Sequence, residues 1–358
     1  MIKVLVVEDS LVIREFLIQI LNSDPEIEVV GSARDGEEAV TTVKEKAPHV
    51  ITMDIHMPKL NGFDATRKIM ETNPTPIVIV SGSSRAEEIA TTFHALECGA
   101  LAVTKRPAGI GHPDHDVTAK ELIQTVKLMS EVKVVKRWAR VQKKAEYSQP
   151  LPPVRVKLKE VVPDIQLVAI GASTSGPIVL QKILSRLPKN FPVPVVIVQH
   201  MAAGFVQGFT EWMGESLNVP INVAQNGEYL LPGNVYVAPD AYHIAVTGGN
   251  RVALRQEEPE NGLRPSVSYL FRSVAEMYGR RAIGVLLTGM GKDGAKELKQ
   301  MKESGAVTIV QDKDSCVVFG MPGEAVKLDA ATYVFPPEKI SEALISLVNR
   351  TSKENTNQ

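Results

Sequence analysis

The sequence predicts an α/β protein built from two successive doubly wound parallel-sheet units, the second carrying an inserted β-hairpin region. Three observations predict it. Short β-branched runs alternate with amphipathic helical patterns along most of the chain. The 358 residues exceed the size, roughly 250–300 residues, at which a single hydrophobic core stops growing. A proline-dense stretch, Tyr147-Ser148-Gln149-Pro150-Leu151-Pro152-Pro153 and on to Val162-Pro163, interrupts the alternation near the middle, where it stops helix and central strand alike.

In the first unit, residues 3–7, 27–31, 50–53, 77–80 and 101–104 read as strands. Between them Val12, Phe16, Leu17, Ile20 and Leu21 recur at helical spacing, as do Ile89, Phe93 and Leu96, and later Leu122, Ile123, Val126 and Leu128. Consecutive β/α units imply a parallel sheet covered on both faces, with ligands bound at the strands' carboxyl ends. Those ends carry Glu8 and Asp9, then Asp54, Ser81 and Lys105. Carboxylates gathered at one sheet edge repel one another unless a cation sits among them, and hard oxygen ligands suit Mg²⁺. A metal-neutralised aspartate can attack phosphorus, and Ser81 and Lys105 can hold the resulting phosphoryl oxygens. The expectation is a phosphoryl-acceptor site. His112-Pro113-Asp114-His115-Asp116 has metal-ligand composition but adjacent spacing, and is expected to be a solvated turn.

Boundaries are expected at 1–137 for the first unit, 138–163 for a linker, 164–350 for the second unit and 351–358 for a polar tail. Lys136, Arg137, Arg140, Lys143 and Lys144 read as an exposed basic helix end.

The second unit begins with a strand at 165–170, and Gly171-Ala172-Ser173-Thr174-Ser175-Gly176-Pro177 then turns into a helix reaching about residue 187. Small residues at such a turn expose a hydroxyl beside helix amides, either as a plain helix cap or as a nucleophile. A strand at 193–198 ends in Gln199-His200-Met201, and a helix follows whose Phe205, Phe209, Trp212 and Met213 form a core face. Residues 227–254, with Leu231-Pro232-Gly233-Asn234, Val235-Tyr236-Val237-Ala238-Pro239 and Gly248-Gly249-Asn250, read as inserted hairpins. A helix over 267–278 leads to a strand at 282–287, which ends in Thr288-Gly289-Met290-Gly291-Lys292-Asp293-Gly294. A strand at 307–310 and closing helices follow.

Ser173, His200 and Asp293 each follow a strand of parallel type, so topology brings them to one edge. A serine hydroxyl needs an imidazole to take its proton, and the imidazole needs a carboxylate to orient it. The glycine-rich turn around Met290 offers amide donors for an oxyanion. Ser173 is preferred to Ser175 because it lies nearer the strand end. His49, His94 and His243 have no comparable partners, and Cys316 reads as a buried, inert thiol.

A formal net charge of −1 supplies no field to recruit nucleic acid. Cys98 and Cys316 fit a reducing compartment, and neither a signal peptide nor a membrane span is evident, so a cytoplasmic protein with no membrane insertion is expected.

Val7-Glu8-Asp9-Ser10, Met53-Asp54-Ile55-His56-Met57-Pro58, Gly62, Ser81 and Thr104-Lys105 resemble the response-regulator receiver domain, which is flavodoxin-like. That resemblance implies phosphorylation of Asp54 by a histidine kinase, Mg²⁺ held by Glu8, Asp9 and Asp54, and phosphate sensing by Ser81 and Lys105. Glu8 replaces a commoner aspartate, and Lys105-Arg106-Pro107 replaces the usual Lys-Pro. The motifs around Ser173, His200 and Asp293, with Val237-Ala238-Pro239 and Phe319-Gly320-Met321-Pro322, resemble the catalytic domain of the chemotaxis protein-glutamate methylesterases, the CheB family. This second resemblance implies an α/β hydrolase-type domain with Ser173 as nucleophile, His200 as general base, Asp293 as its partner and the Met290 amide in the oxyanion hole. It also implies demethylation of glutamate methyl esters and deamidation of glutamines on chemoreceptors, switched on by phosphorylation and needing no cofactor for the hydrolysis itself. Ser175 stands where the family usually has glycine. The competing expectation, a response regulator whose output domain only binds a partner, calls for a basic helix-turn-helix or a large apolar face, and the second half displays neither pattern.

Overall fold

The structure, a computed structural model, describes residues 1–83, 85–134 and 164–354. The expected linker and its basic cluster lie outside the described residues. The chain divides into two compact units.

The first unit alternates β1 (Ile2–Val7), α1 (Leu11–Asn22), β2 (Ile27–Ala33), α2 (Gly36–Lys46), β3 (Val50–Met53), α3 (Gly62–Thr72), β4 (Ile77–Ser81), α4 (Ala86–Cys98), β5 (Ala102–Lys105) and α5 (His115–Ser130). The strands form one parallel sheet in the order β2-β1-β3-β4-β5. β3 and β4 are buried throughout, as an interior strand covered on both faces requires. The order reverses between β1 and β3, and the crevice outside their carboxyl ends is the ligand position of such a sheet. The expected turn at 112–116 is only half right. His115 and Asp116 begin α5, where an acid in the first turn complements the helix dipole, and His115 Nδ1 lies 2.7 Å from the Ala108 carbonyl.

The second unit runs β6 (Leu167–Ala172), α6 (Gly176–Leu184), β7 (Val195–Gln199), α7 (Val206–Gly214), β8 (Ile221–Val223), β9 (Val235–Val237), β10 (His243–Thr247), β11 (Arg251–Arg255) and α8 (Val267–Tyr278). It continues with β12 (Ala282–Leu286), α9 (Ala295–Glu303), β13 (Val307–Gln311), α10 (Met321–Lys327), β14 (Tyr333–Phe335) and α11 (Pro337–Glu354), so the last helix extends past the boundary expected at residue 350. Seven strands make a parallel sheet in the order β14-β13-β12-β6-β7-β9-β8. Among the described residues only β10 and β11 form a hairpin. Val235–Val237, expected within the hairpin region, instead pairs in parallel with β7 and β8. Its turn residues suit either fate, and its three buried side chains are the mark of an interior strand. Phe205, Phe209 and Trp212 are buried, as the helical stripe predicts. Phe271, Leu270 and Val274 of α8 pack with Leu286 and Leu298 in the core under the sheet.

Candidate active site

In the first unit Glu8 and Asp9 leave β1 and Asp54 leaves β3, side by side at the point where strand order reverses. One carboxylate oxygen from each lies within 4.8 Å of the others. Burial, and after it the charge of Asp54, pushes Glu8 up to about 7, and burial likewise raises Asp54. Glu8 is buried, Asp54 half-buried and Asp9 exposed, and three carboxylates held this close favour a divalent cation among them, so the donor set fits a hard metal ion such as Mg²⁺. Ser81 closes β4 and is buried, and it stands in register with Lys105 at the end of β5, whose side chain is exposed.

In the second unit the strand order reverses between β6 and β12, and the three expected residues follow the adjacent strands β12, β6 and β7. Ser173 follows β6 directly, and its N–H donates to the Thr288 carbonyl at 3.0 Å. His200 follows β7 directly, and its N–H donates to the Ala172 carbonyl at 3.0 Å. Asp293 follows β12 after a glycine-rich turn, and its Oδ2 lies 3.0 Å from His200 Nε2, a close ion-pair approach off the straight N–H line. Nδ1 is the ring nitrogen not turned to Asp293.

Asp293 is buried at the amino end of α8. It accepts the Ser266 hydroxyl at 2.8 Å and the amides of Val267 and Ser268 at 2.7 and 3.1 Å. A carboxylate at a helix N-terminus is favoured by the unpaired amides and by the dipole. Burial alone would raise Asp293, but His200 and the hydroxyls of Ser268 and Ser266 outweigh it and hold the carboxyl well below the usual range. The carboxylate is thereby fixed in the charged form that can stabilise an imidazolium.

The turn expected to supply oxyanion donors passes through Gly289. A Cβ there would stand 2.6 Å from Ser173 Cβ, so only glycine lets this turn touch the serine. Gly289 accepts from the amides of Gly320 and Met321 at 3.1 and 2.9 Å. Met290 is exposed, and its N–H makes no backbone hydrogen bond among the described residues. Ser175 has φ 58°, the left-handed region, which accounts for the usual glycine at that position. Cys316 is half-buried rather than buried as expected, and burial first and Asp312 second still push its thiol up to about 12, which leaves it an unreactive thiol at neutral pH.

Four contributors went unread in the sequence. Gln199 is buried, and its amide donates to both the Ser173 and the His200 carbonyls, at 2.8 and 2.7 Å. Thr288 is buried, with its hydroxyl 3.1 Å from the Thr174 carbonyl. Ser266 and Ser268 open α8, and Ser-x-Ser ahead of an apolar helical run is the signal that marks them.

The chain is similar to known proteins along nearly its whole length. Residues 168–344 match the CheB methylesterase family, and residues 4–110 match the response regulator receiver domain. A protein-glutamate methylesterase/protein-glutamine glutaminase of Nitrosospira multiformis is 58% identical over 97% of this chain and 97% of its own length. One from Geobacter metallireducens is 54% identical over 97% of this chain and 99% of its own. The crystal structure of the Thermotoga maritima CheB methylesterase catalytic domain is 41% identical, with a TM-score of 0.50, over 51% of this chain and 99% of that domain. The chain belongs to the CheB methylesterase family, with a receiver domain ahead of its hydrolase-type catalytic unit.

Proposed function

We propose that Ser173 is the nucleophile of a protein-glutamate methylesterase and protein-glutamine glutaminase acting on chemoreceptor cytoplasmic domains during chemotactic adaptation. Ser173 Oγ attacks the side-chain carbonyl of a glutamate γ-methyl ester while His200 takes its proton. The tetrahedral intermediate places its oxyanion on the Met290 amide, a kind of donor worth about 3–4 kcal/mol in other hydrolases. Its collapse breaks the C–O bond to methanol, which leaves with the proton from His200. Water deprotonated by His200 then hydrolyses the acyl-enzyme and frees glutamate. With a glutamine substrate the leaving group is ammonia. Asp293 orients the ring and stays ionised throughout. The observation that carries this reading is the His200–Asp293 approach of 3.0 Å on strands flanking the Ser173 turn.

In the receiver, taken as residues 1–137, Asp54 accepts a phosphoryl group from a chemotaxis histidine kinase. Glu8, Asp9 and Asp54 are the residues that would hold Mg²⁺, and the ion would supply neutralisation of the acceptor's charge. Ser81 and Lys105 bind the transferred group. Residues 138–163 link this unit to the catalytic one at 164–350, and phosphorylation of Asp54 raises the hydrolase rate. No helix among the described residues is long and apolar enough to cross a membrane.

The test is methanol release from methylated receptor membranes, with and without Mg²⁺ and acetyl phosphate. Release should rise with phosphodonor in the native chain, stay at its basal level in Asp54→Asn and vanish in Ser173→Ala. Full release by Ser173→Ala overturns the assignment of the nucleophile.

A further inference from the structure

Lys105 closes β5, yet the strand's pairing with β4 continues one residue beyond it, because the Arg106 amide donates to the Ser81 carbonyl at 2.8 Å. Successive side chains along a strand point to opposite faces, so Lys105 and Arg106 cannot both turn the same way. Lys105 is exposed, and its charge acts on Glu121 of α5. Arg106 is half-buried and turns toward the loop after Ser81. A Cβ on Gly82 would stand 2.5 Å from the Arg106 Cζ and Nη2 atoms, so the guanidinium fills the space that a side chain at Gly82 would need. Among the described residues no carboxylate pairs with this guanidinium. β4 pairs directly with β3, so the Ser81–Gly82 edge against which the guanidinium lies stands next to the strand end that carries Asp54. A planar fork of donors, partly desolvated and without a carboxylate partner, is suited to two oxygens of one tetrahedral anion.

We infer that Arg106, where the usual pattern has proline, is a phosphoryl-binding residue of the receiver: its guanidinium holds the group transferred to Asp54. The inference rests on Asp54 being the acceptor. An Asp54 carboxylate oxygen attacks the phosphorus of acetyl phosphate, the bond from phosphorus to the bridging oxygen breaks, and acetate leaves with the electron pair. The phosphoryl oxygens brought to Asp54 add negative charge beside carboxylates already crowded together. A guanidinium from the Gly82 side offsets that charge and donates two N–H bonds to it, which slows loss of the group to water.

The test uses the full chain with Mg²⁺ and beryllofluoride, which adds to a carboxylate as a phosphoryl mimic, and compares native, Arg106→Ala, Arg106→Gln, Lys105→Ala and Asp54→Asn proteins by calorimetry. Lifetimes of the aspartyl phosphate made with acetyl phosphate are followed by gel mobility shift. Arg106→Ala should weaken beryllofluoride binding about tenfold, as loss of a charge-assisted hydrogen bond does, and shorten the lifetime in parallel. Arg106→Gln keeps the stem and removes the charge, and gives the deciding value if the alanine variant melts early. Either variant binding within twofold of native, with Lys105→Ala weakened, overturns the inference and leaves the acceptor in place. Native-like binding by Asp54→Asn overturns the acceptor reading itself, and the inference with it.

Discussion

Replacing Gln199 by methionine conserves volume and removes both donors that tie the Ser173 turn to the His200 turn. The two carbonyls do not suffer equally. Ser173 O keeps the Gly176 amide at 2.8 Å, whereas His200 O has no other protein donor among the described residues. The first loss is worth about 1 kcal/mol, and the second, which strands a carbonyl beside a nearly dry side chain, about 1–2 kcal/mol. A total of about 2–3 kcal/mol corresponds to a fall in melting temperature of about 5–10 °C in a unit of this size. The kinetic effect is separate. With neither turn anchored to the other, the distance between Ser173 and the His200 ring is set loosely, and a displacement of about 1 Å costs on the order of a hundredfold in rate. Methanol release and thermal unfolding, measured on the same preparation at one pH, give both quantities. The drop should fall on kcat with KM little changed, because Gln199 is buried and out of reach of the receptor. A Gln199→Met protein with native kcat refutes the positioning role whatever its stability.

Ser175→Gly should stabilise the catalytic unit by about 1 kcal/mol in urea unfolding, because the left-handed backbone at φ 58° strains any residue with a Cβ; it should also retain full esterase activity, which loss of the true nucleophile would not allow. Asp293→Asn should abolish most activity and lower stability at pH 7. Since the folded carboxyl lies below its unfolded value of about 3.9, its stabilisation is fully present above that value and fades as pH falls through the folded one, so the stability gap between variant and native stays constant from pH 7 to about 5 and closes only in stronger acid. A gap that instead closes between pH 7 and 6 refutes the assignment of the effect to the Asp293 carboxylate.

Much of the site was legible because its signals are local. Ser173 and His200 stand one residue beyond their strands, and an apolar run ending in small or polar residues marks such a position without reference to anything distant. The same holds for Glu8, Asp9 and Asp54, whose crowding follows once the β/α units are placed in a parallel sheet. Val235–Val237 was misplaced for the complementary reason: a three-residue apolar strand between turns contains nothing that names its partner. Lys105 was read by its position in a motif, and the exposure of its side chain belongs to the face of β5 on which the pleat puts it.

The sequence by itself determined the two-unit α/β architecture and the strand ends on which the proposed acceptor and triad stand, because hydrophobic period and turn composition are properties of neighbouring residues. Only the tertiary structure decided that β12, β6 and β7 are neighbours, that Ser266, Val267 and Ser268 supply the donors for Asp293, that Gln199 bridges the two turns, and that Arg106 rather than Lys105 lies against Gly82. Those contacts join residues distant in the chain or depend on which face of a strand is turned inward. Such choices are settled by burying apolar surface and satisfying buried polar groups over the whole unit, and no local pattern records the outcome.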